Sequence, residues 1–348
     1  MRRLLLVASL SVVACTTPQP QVQPEPIAKA EPAPAPAPPP PEPKVELPPA
    51  PPLPAPPLGL PAVNSPDENP TTAERAELGW MLFFDKRASK DGSMACAGCH
   101  FPERAYTTPE AVDVKVGGAK NKRNAPTITN LGFHPQFYWD GRMPTLEAVS
   151  NAAWKGQLGA DPAEVVKTLN AVPQYKARFE RAFGEPATPE NVPRAYAVFF
   201  RTLLNANSPW DRAQNGDKAA LSKDAEAGYK VFQAKGCVAC HTPPLFTNYA
   251  YENAGIGDDP GRKDATKEDA DTGKFKVPSL RNVALTSPYF HDGSAATLEA
   301  AVDLMVKGNK ANPLLKPQKL SKKETAQLLA FLQSLTGEST YTQPPTLP

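Results

Sequence analysis

The chain has 348 residues, enough for about two domains, and a net charge of +2 with no basic block, which excludes a nucleic-acid binder acting by phosphate neutralisation. Proline supplies 43 residues, far above the usual share of about 5%, and 20 of the 43 lie between positions 16 and 61. Beyond the N-terminus no apolar run reaches ~18 residues, so no transmembrane helix is expected in the rest of the chain.

Arg2 and Arg3 precede an apolar run from Leu4 to Ala14, which reads as a secretory signal over residues 1–15. The run is too short to span a bilayer. It ends Val12-Val13-Ala14-Cys15, which resembles the lipobox of bacterial lipoproteins, with Cys15 as the lipidated residue. That predicts a periplasmic, lipid-anchored protein. Thr16 in place of an aspartate points to the outer membrane. Residues 16–65 are Pro/Ala-rich and lack the apolar periodicity of a core. They read as a disordered polyproline II tether rising ~3.1 Å per residue.

Periodic segments begin near residue 66. Thr71-x-x-Glu74 reads as a capping box opening a helix through Leu78, Leu82 and Phe83. A second helix is predicted over about 222–234. A third begins at Ser321-x-x-Glu324, with Gly337 as its stop. Alternating strand patterns are scarce, so the fold class is all-α. Pro126–Ala148 aligns without gaps on Pro278–Ala300 at an offset of 152, with eight of 23 positions identical, Asn130/Asn282 and Asp140/Asp292 among them. The repeat implies two tandem domains, 66–215 and 216–340, divided at the Asn215-Gly216-Asp217 turn signal, with a tail over 341–348.

Each copy contains one cysteine motif, Cys96-Ala97-Gly98-Cys99-His100 and Cys237-Val238-Ala239-Cys240-His241. C-x-x-C-H is the attachment signature of c-type haem. Two thiols at that spacing reach the two vinyl groups of one porphyrin, and the adjacent histidine lies under the iron. A zinc site built from the four cysteines is the competing reading. Duplication within an exported, repeated unit favours two covalently bound haem c groups. With Cys15 the motifs use every cysteine, so no disulfide is expected. Sixth ligands must come from His134, His291 or a methionine, or be absent. Met305 follows Thr297-Leu298-Glu299 on a predicted helix, and its repeat equivalent is Ala153. The two haems are therefore expected to differ, one holding an electron and the other meeting a substrate.

As a set, these motifs resemble the bacterial dihaem cytochrome c peroxidase family, which includes MauG-like enzymes. Leu78-Gly79-Trp80-Met81-Leu82-Phe83-Phe84-Asp85, Arg123-Asn124-Ala125-Pro126-Thr127, Tyr138-Trp139-Asp140-Gly141-Arg142 and Pro288-Tyr289-Phe290-His291-Asp292-Gly293 carry the likeness together with the haem motifs. The resemblance implies two cytochrome c-like domains. The C-terminal haem takes electrons from a small donor, a cytochrome c or cupredoxin, and the N-terminal haem reduces hydrogen peroxide to water. It further implies Met305 as an axial ligand, Trp139 as the route between haems, and a calcium ion held by Asn124, Thr286 and Pro288. Dimerisation is common in that family, though no feature of this chain shows it.

Three departures stand out. The aligned loop Val116-Gly117-Gly118-Ala119-Lys120 lacks the histidine that ligates the resting N-terminal haem of the peroxidases. The distal glutamine aligns with Val149, and the distal glutamate, across a two-residue gap, with Gln157. Glutamine cannot move a proton as a carboxylate does. His134 is the first candidate to replace it, as acid/base or sixth ligand. His291 is expected near the C-terminal haem. Two other functions remain open on this reading: a MauG-like oxidase that modifies another protein, and a dihaem electron carrier without catalysis.

Overall fold

A computed structural model describes residues 14–15 and 45–348. Residues 1–13 of the expected signal and 16–44 of the expected tether lie outside the described residues. Cys15 is described, and it is exposed.

The first half is helical, as expected. It comprises α1 (Ala73–Phe84), α2 (Leu146–Gly156), α3 (Pro162–Asn170), α4 (Pro173–Phe183) and α5 (Asn191–Thr202). The cap of α1 is Thr72, one residue after the predicted Thr71, because the Thr72 side chain accepts from the Arg75 N–H. Leu78, Leu82, Phe83, Phe179, Tyr196 and Phe199 form the core between α1, α4 and α5. Each fully buried aromatic or leucine there contributes ~1.5–3 kcal/mol. A Cβ on Gly79 would stand 2.1 Å from the Ala195 carbonyl, so only glycine permits the α1–α5 approach.

The second half repeats the arrangement. It comprises α6 (Pro209–Gln214), α7 (Lys223–Ala234), α8 (Lys263–Thr266), α9 (Leu298–Lys307) and α10 (Lys322–Gln333). Ser222 and Ser321 cap α7 and α10, the latter through the predicted capping box with Glu324. Phe232, Phe246, Phe331 and Leu335 fill the core. A Cβ on Gly228 would stand 1.9 Å from the Gln327 carbonyl, the counterpart of the Gly79 crossing. Trp210 and Ala213 of α6 belong to this second core although they precede residue 215.

The aligned segments share one backbone course. Asn130 and Asn282 are both left-handed, at φ 60° and 57°. Thr145 and Thr297 cap α2 and α9 through side chains that accept from Ala148 and Ala300.

Short strands join distant parts. β1 (Asn205–Ala206) pairs antiparallel with β4 (Glu338–Ser339), and β2 (Tyr251–Glu252) with β3 (Phe275–Lys276). Beyond β4, Tyr341 packs on Trp80 and Phe199 with ring centroids 5.2 Å apart in each case. The segment expected as a tail thus completes the first core. Two side chains with almost no exposure, Arg281 and Asp211 (1% and 3%), form a two-bond ion pair at 2.9 Å.

The expected tether needs correction at its C-terminal end. Residues 45–65 carry no regular secondary structure, yet they lie against the folded unit. Arg181 donates to the Pro48 carbonyl (2.6 Å), Asn207 N–H to the Leu58 carbonyl (2.9 Å) and Arg281 to the Gly59 carbonyl (3.2 Å). Proline offers no N–H, but carbonyls along such a segment still accept.

Candidate functional site

Both cysteine motifs fold as the same tight turn. Cys96–Gly98 and Cys237–Ala239 are single 3₁₀ turns, and the N–H groups of His100 and His241 bond back to the carbonyls of Cys96 (3.1 Å) and Cys237 (3.0 Å). The turn brings two thiols and one imidazole together within five residues. All four thiols are unpaired. Burial pushes Cys96 and Cys99 up to about 12, and Asp113 adds to the effect at Cys99. Burial also raises Cys237 and Cys240.

The two imidazoles are oriented alike. His100 Nδ1 lies 2.9 Å from the Tyr106 carbonyl, and His241 Nδ1 lies 3.1 Å from the Phe246 carbonyl. A carbonyl only accepts, so each Nδ1 carries the proton and each Nε2 keeps a lone pair for a metal. Tyr106 and Phe246 are left-handed, at φ 59° and 53°, which turns those carbonyls back toward the rings. Burial holds both histidines below the ordinary imidazole range, so both are neutral, as a ligand must be. Free thiols at C-x-x-C spacing beside a neutral, pre-oriented imidazole fit a covalently bound haem in each half.

Met305 sits in the last turn of α9. Its neighbours Leu304 and Val306 pack on the second core, while Met305 is half-buried beside them. Trp139 lies at the junction of the halves. Its indole N–H donates to the Asn124 carbonyl (2.9 Å), and its own carbonyl accepts from Lys276 N–H (2.8 Å). His291 is buried against Phe275, rings 3.7 Å apart, and its carbonyl accepts from Asn124 N–H at 2.7 Å.

His134 is placed beside Lys276. Its Nδ1 lies 3.2 Å from the Lys276 ammonium, and its ring is 4.8 Å from that of Tyr249. Burial, then the Lys276 charge, pushes it well below the usual histidine value. Its Nδ1 therefore accepts from a lysine, and the neutral ring carries no acidic proton for a reaction near neutral pH. Gln157 caps α2 and pins the loop over 113–121. Its side-chain oxygen accepts from Asn121 (2.8 Å) and its carbonyl from Val116 N–H (3.0 Å). Val149 packs with Phe137 and Leu146.

Among the expected calcium residues, Asn124 donates to the Glu110 carbonyl (2.9 Å), which aims its amide and leaves Oδ1 available. Thr286 Oγ1 donates to the Val283 carbonyl (3.2 Å), and Pro288 follows a cis peptide bond. Among the described residues no three His, Cys, Asp or Glu side chains gather at a metal site. None of the described helices is long and apolar enough to cross a membrane.

Three residues near these sites escaped the sequence reading. Asp113 is buried beside Cys99, with Oδ1 held by the Thr108 hydroxyl (2.7 Å) and Oδ2 without a partner. Lys276 and Tyr249 flank His134. A lone acidic, basic or aromatic residue in a loop carries no periodic signal that separates it from a solvated one.

Family models agree with this geometry. The model described as Di-haem cytochrome c peroxidase matches residues 73–219, and that described as Cytochrome c matches 225–336. The chain is 35% identical to cytochrome c551 peroxidase of Nitrosomonas europaea, over 83% of this chain and 90% of that protein. It is 37% identical to methylamine utilization protein MauG of Methylorubrum extorquens, over 82% and 85%. A solved MauG-like protein associated with microbial copper homeostasis superposes with a TM-score of 0.72 at 30% identity, covering 82% of this chain and 94% of that one.

Proposed function

The chain belongs to the di-haem cytochrome c peroxidase family, and from that premise we propose that it reduces hydrogen peroxide to water with electrons from a small periplasmic redox protein. The observation that carries the reading is the pair of C-x-x-C-H turns, each with a neutral histidine whose Nδ1 is tied to a carbonyl. When bound, the haems supply electron storage in the C-terminal half and peroxide reduction in the N-terminal half. His241 and Met305 would be the residues that ligate the first of these groups, and a thioether ligand favours a high potential. His100 holds the other. Trp139 bridges the halves through Asn124 and Lys276, which suits it to carry electrons between them.

On the peroxide side, the loop over 116–120 brings no histidine to the haem, and Gln157 fixes that loop by two hydrogen bonds. A haem held by His100 would therefore meet no histidine from this loop and would be open to peroxide at rest. Neither Gln157 nor the neutral His134 offers a carboxylate's proton transfer. The Asn124 Oδ1 and the carbonyls of Thr286 and Pro288 suit calcium, a hard cation that takes oxygen ligands, with waters completing the shell. Cys15 anchors the chain by lipid, to the outer membrane, with the proline-rich segment as spacer. The oligomer is a monomer or a homodimer.

A second reading is favoured by the same open loop: a MauG-like oxidase whose peroxide-derived oxidation falls on another protein. Electron counting separates the two. With a reduced small cytochrome or copper protein as donor, two donor electrons are expected per peroxide consumed. Peroxide consumed with the donor left reduced, and a covalent change on an added protein, would establish the second reading instead.

A further inference from the structure

Lys276 is an anomaly of the domain junction. Only 7% of its surface is exposed. Its ammonium donates to the Gln136 carbonyl (2.5 Å) and to His134 Nδ1 (3.2 Å), which leaves one of its three protons uncommitted. Among the described residues no ion pair joins it to a carboxylate. The nearest acidic influence, Asp140, is already engaged by Arg123 and Arg142 at 2.7 Å each. An unpaired buried cation is strongly disfavoured, and burial lowers this lysine to about 8. Tyr249 packs on the same His134 ring, centroids 4.8 Å apart, and its hydroxyl is buried with no hydrogen-bond partner. The uncommitted ammonium proton and the unpartnered hydroxyl, one of them charged, together complement a carboxylate.

The chain around them indicates where the carboxylate comes from. Val277 follows Lys276; its N–H bonds to the Ala250 carbonyl (2.8 Å) and its carbonyl accepts from Thr247 Oγ1 (2.6 Å). Tyr249 N–H bonds to the same Thr247 oxygen (2.9 Å). One residue before Thr247, the Phe246 carbonyl fixes His241 Nδ1. Both donors are thus carried by the two segments that hold the C-terminal haem ligand. Each haem carries two propionate carboxylates.

We propose that Lys276 and Tyr249 form a carboxylate-binding subsite and that its occupant is a propionate of the C-terminal haem, with His134 positioning the ammonium. The subsite rests on the assignment of His241 as haem ligand. A buried cation at a propionate disfavours the oxidised, more positive haem, and so raises its potential.

The test is a potentiometric titration of haem-loaded Lys276→Met, Lys276→Arg and Tyr249→Phe, in a buffer free of small carboxylates. Loading is checked as two haems per chain. Lys276→Met is expected to lower the midpoint potential of the C-terminal haem and leave the N-terminal haem unmoved. Lys276→Arg is expected to retain the wild-type value, and Tyr249→Phe to shift it in the same direction as Lys276→Met by less. If Lys276→Met fails to load, Tyr249→Phe decides. Unmoved potentials in a fully loaded variant overturn the subsite and leave the peroxidase reading intact. A shift confined to the N-terminal haem, or one seen only after adding acetate or citrate, overturns the propionate assignment. Wild-type protein with fewer than two haems would overturn the subsite and the haem reading together.

Discussion

Met305→Ala is expected to lower the potential of the C-terminal haem by roughly 0.1–0.2 V, a fraction of the ~0.8 V range that axial ligands span. Met305 stands in the last turn of α9, half-buried, while Leu304 and Val306 on either side pack into the second core. The helix thus survives the substitution and the side chain lost is the one outside that core. Donor-driven peroxide turnover is expected to fall about tenfold or more, since electrons enter at this haem in the reading above. The repeat equivalent, Ala153 on α2, lacks the sulfur, so the two haems are expected to differ in this ligand. Potentiometry of both haems checks this. An unchanged potential at the C-terminal haem would remove Met305 as ligand.

Asp211→Ala is expected to cost ~3–5 kcal/mol of stability, because it strands a buried guanidinium. The Arg281 side chain is 1% exposed and gives both terminal nitrogens to Asp211 at 2.9 Å, with two further donors on the Pro244 and Gly59 carbonyls. Burial opposes ionisation of Asp211, but the Arg281 bonds outweigh it and hold the carboxyl below its usual range. The same carboxylate closes the capping box of α6 with Ser208. The variant loses cap and counter-charge together. The midpoint of thermal unfolding measures the loss, and pairing it with Arg281→Met is expected to recover part of the stability. A loss below ~1 kcal/mol would mean the pair does little to hold the second half together.

The haem motifs and the repeat were legible because covalent chemistry and tandem copies leave fixed spacings. Helix caps were legible for the same local reason, to within one residue at Thr72. The contacts of residues 45–65 were not, because a proline-rich segment has no periodicity and its partners, Arg181, Asn207 and Arg281, lie over a hundred residues away. Tyr341 was assigned to a tail because nothing near it in sequence repeats. It is carried onto the first core by the β1–β4 pairing. His134 was recognised as a functional candidate for its rarity. Its partner Lys276 comes from the other half of the chain, 142 residues on, and converts a candidate acid into a neutral acceptor.

The most direct measurement of the central claim is peroxide turnover by the haem-loaded protein, started once from the fully oxidised and once from the half-reduced state, with a reduced small donor present. In the proposed reading, the loop over 116–120, without histidine and fixed by Gln157, would leave a haem held by His100 open at rest. Rapid turnover from the oxidised state without a lag is therefore expected. Turnover only after half-reduction would show that another ligand closes the resting haem, and no turnover from either state, with both haems intact, would contradict the peroxidase.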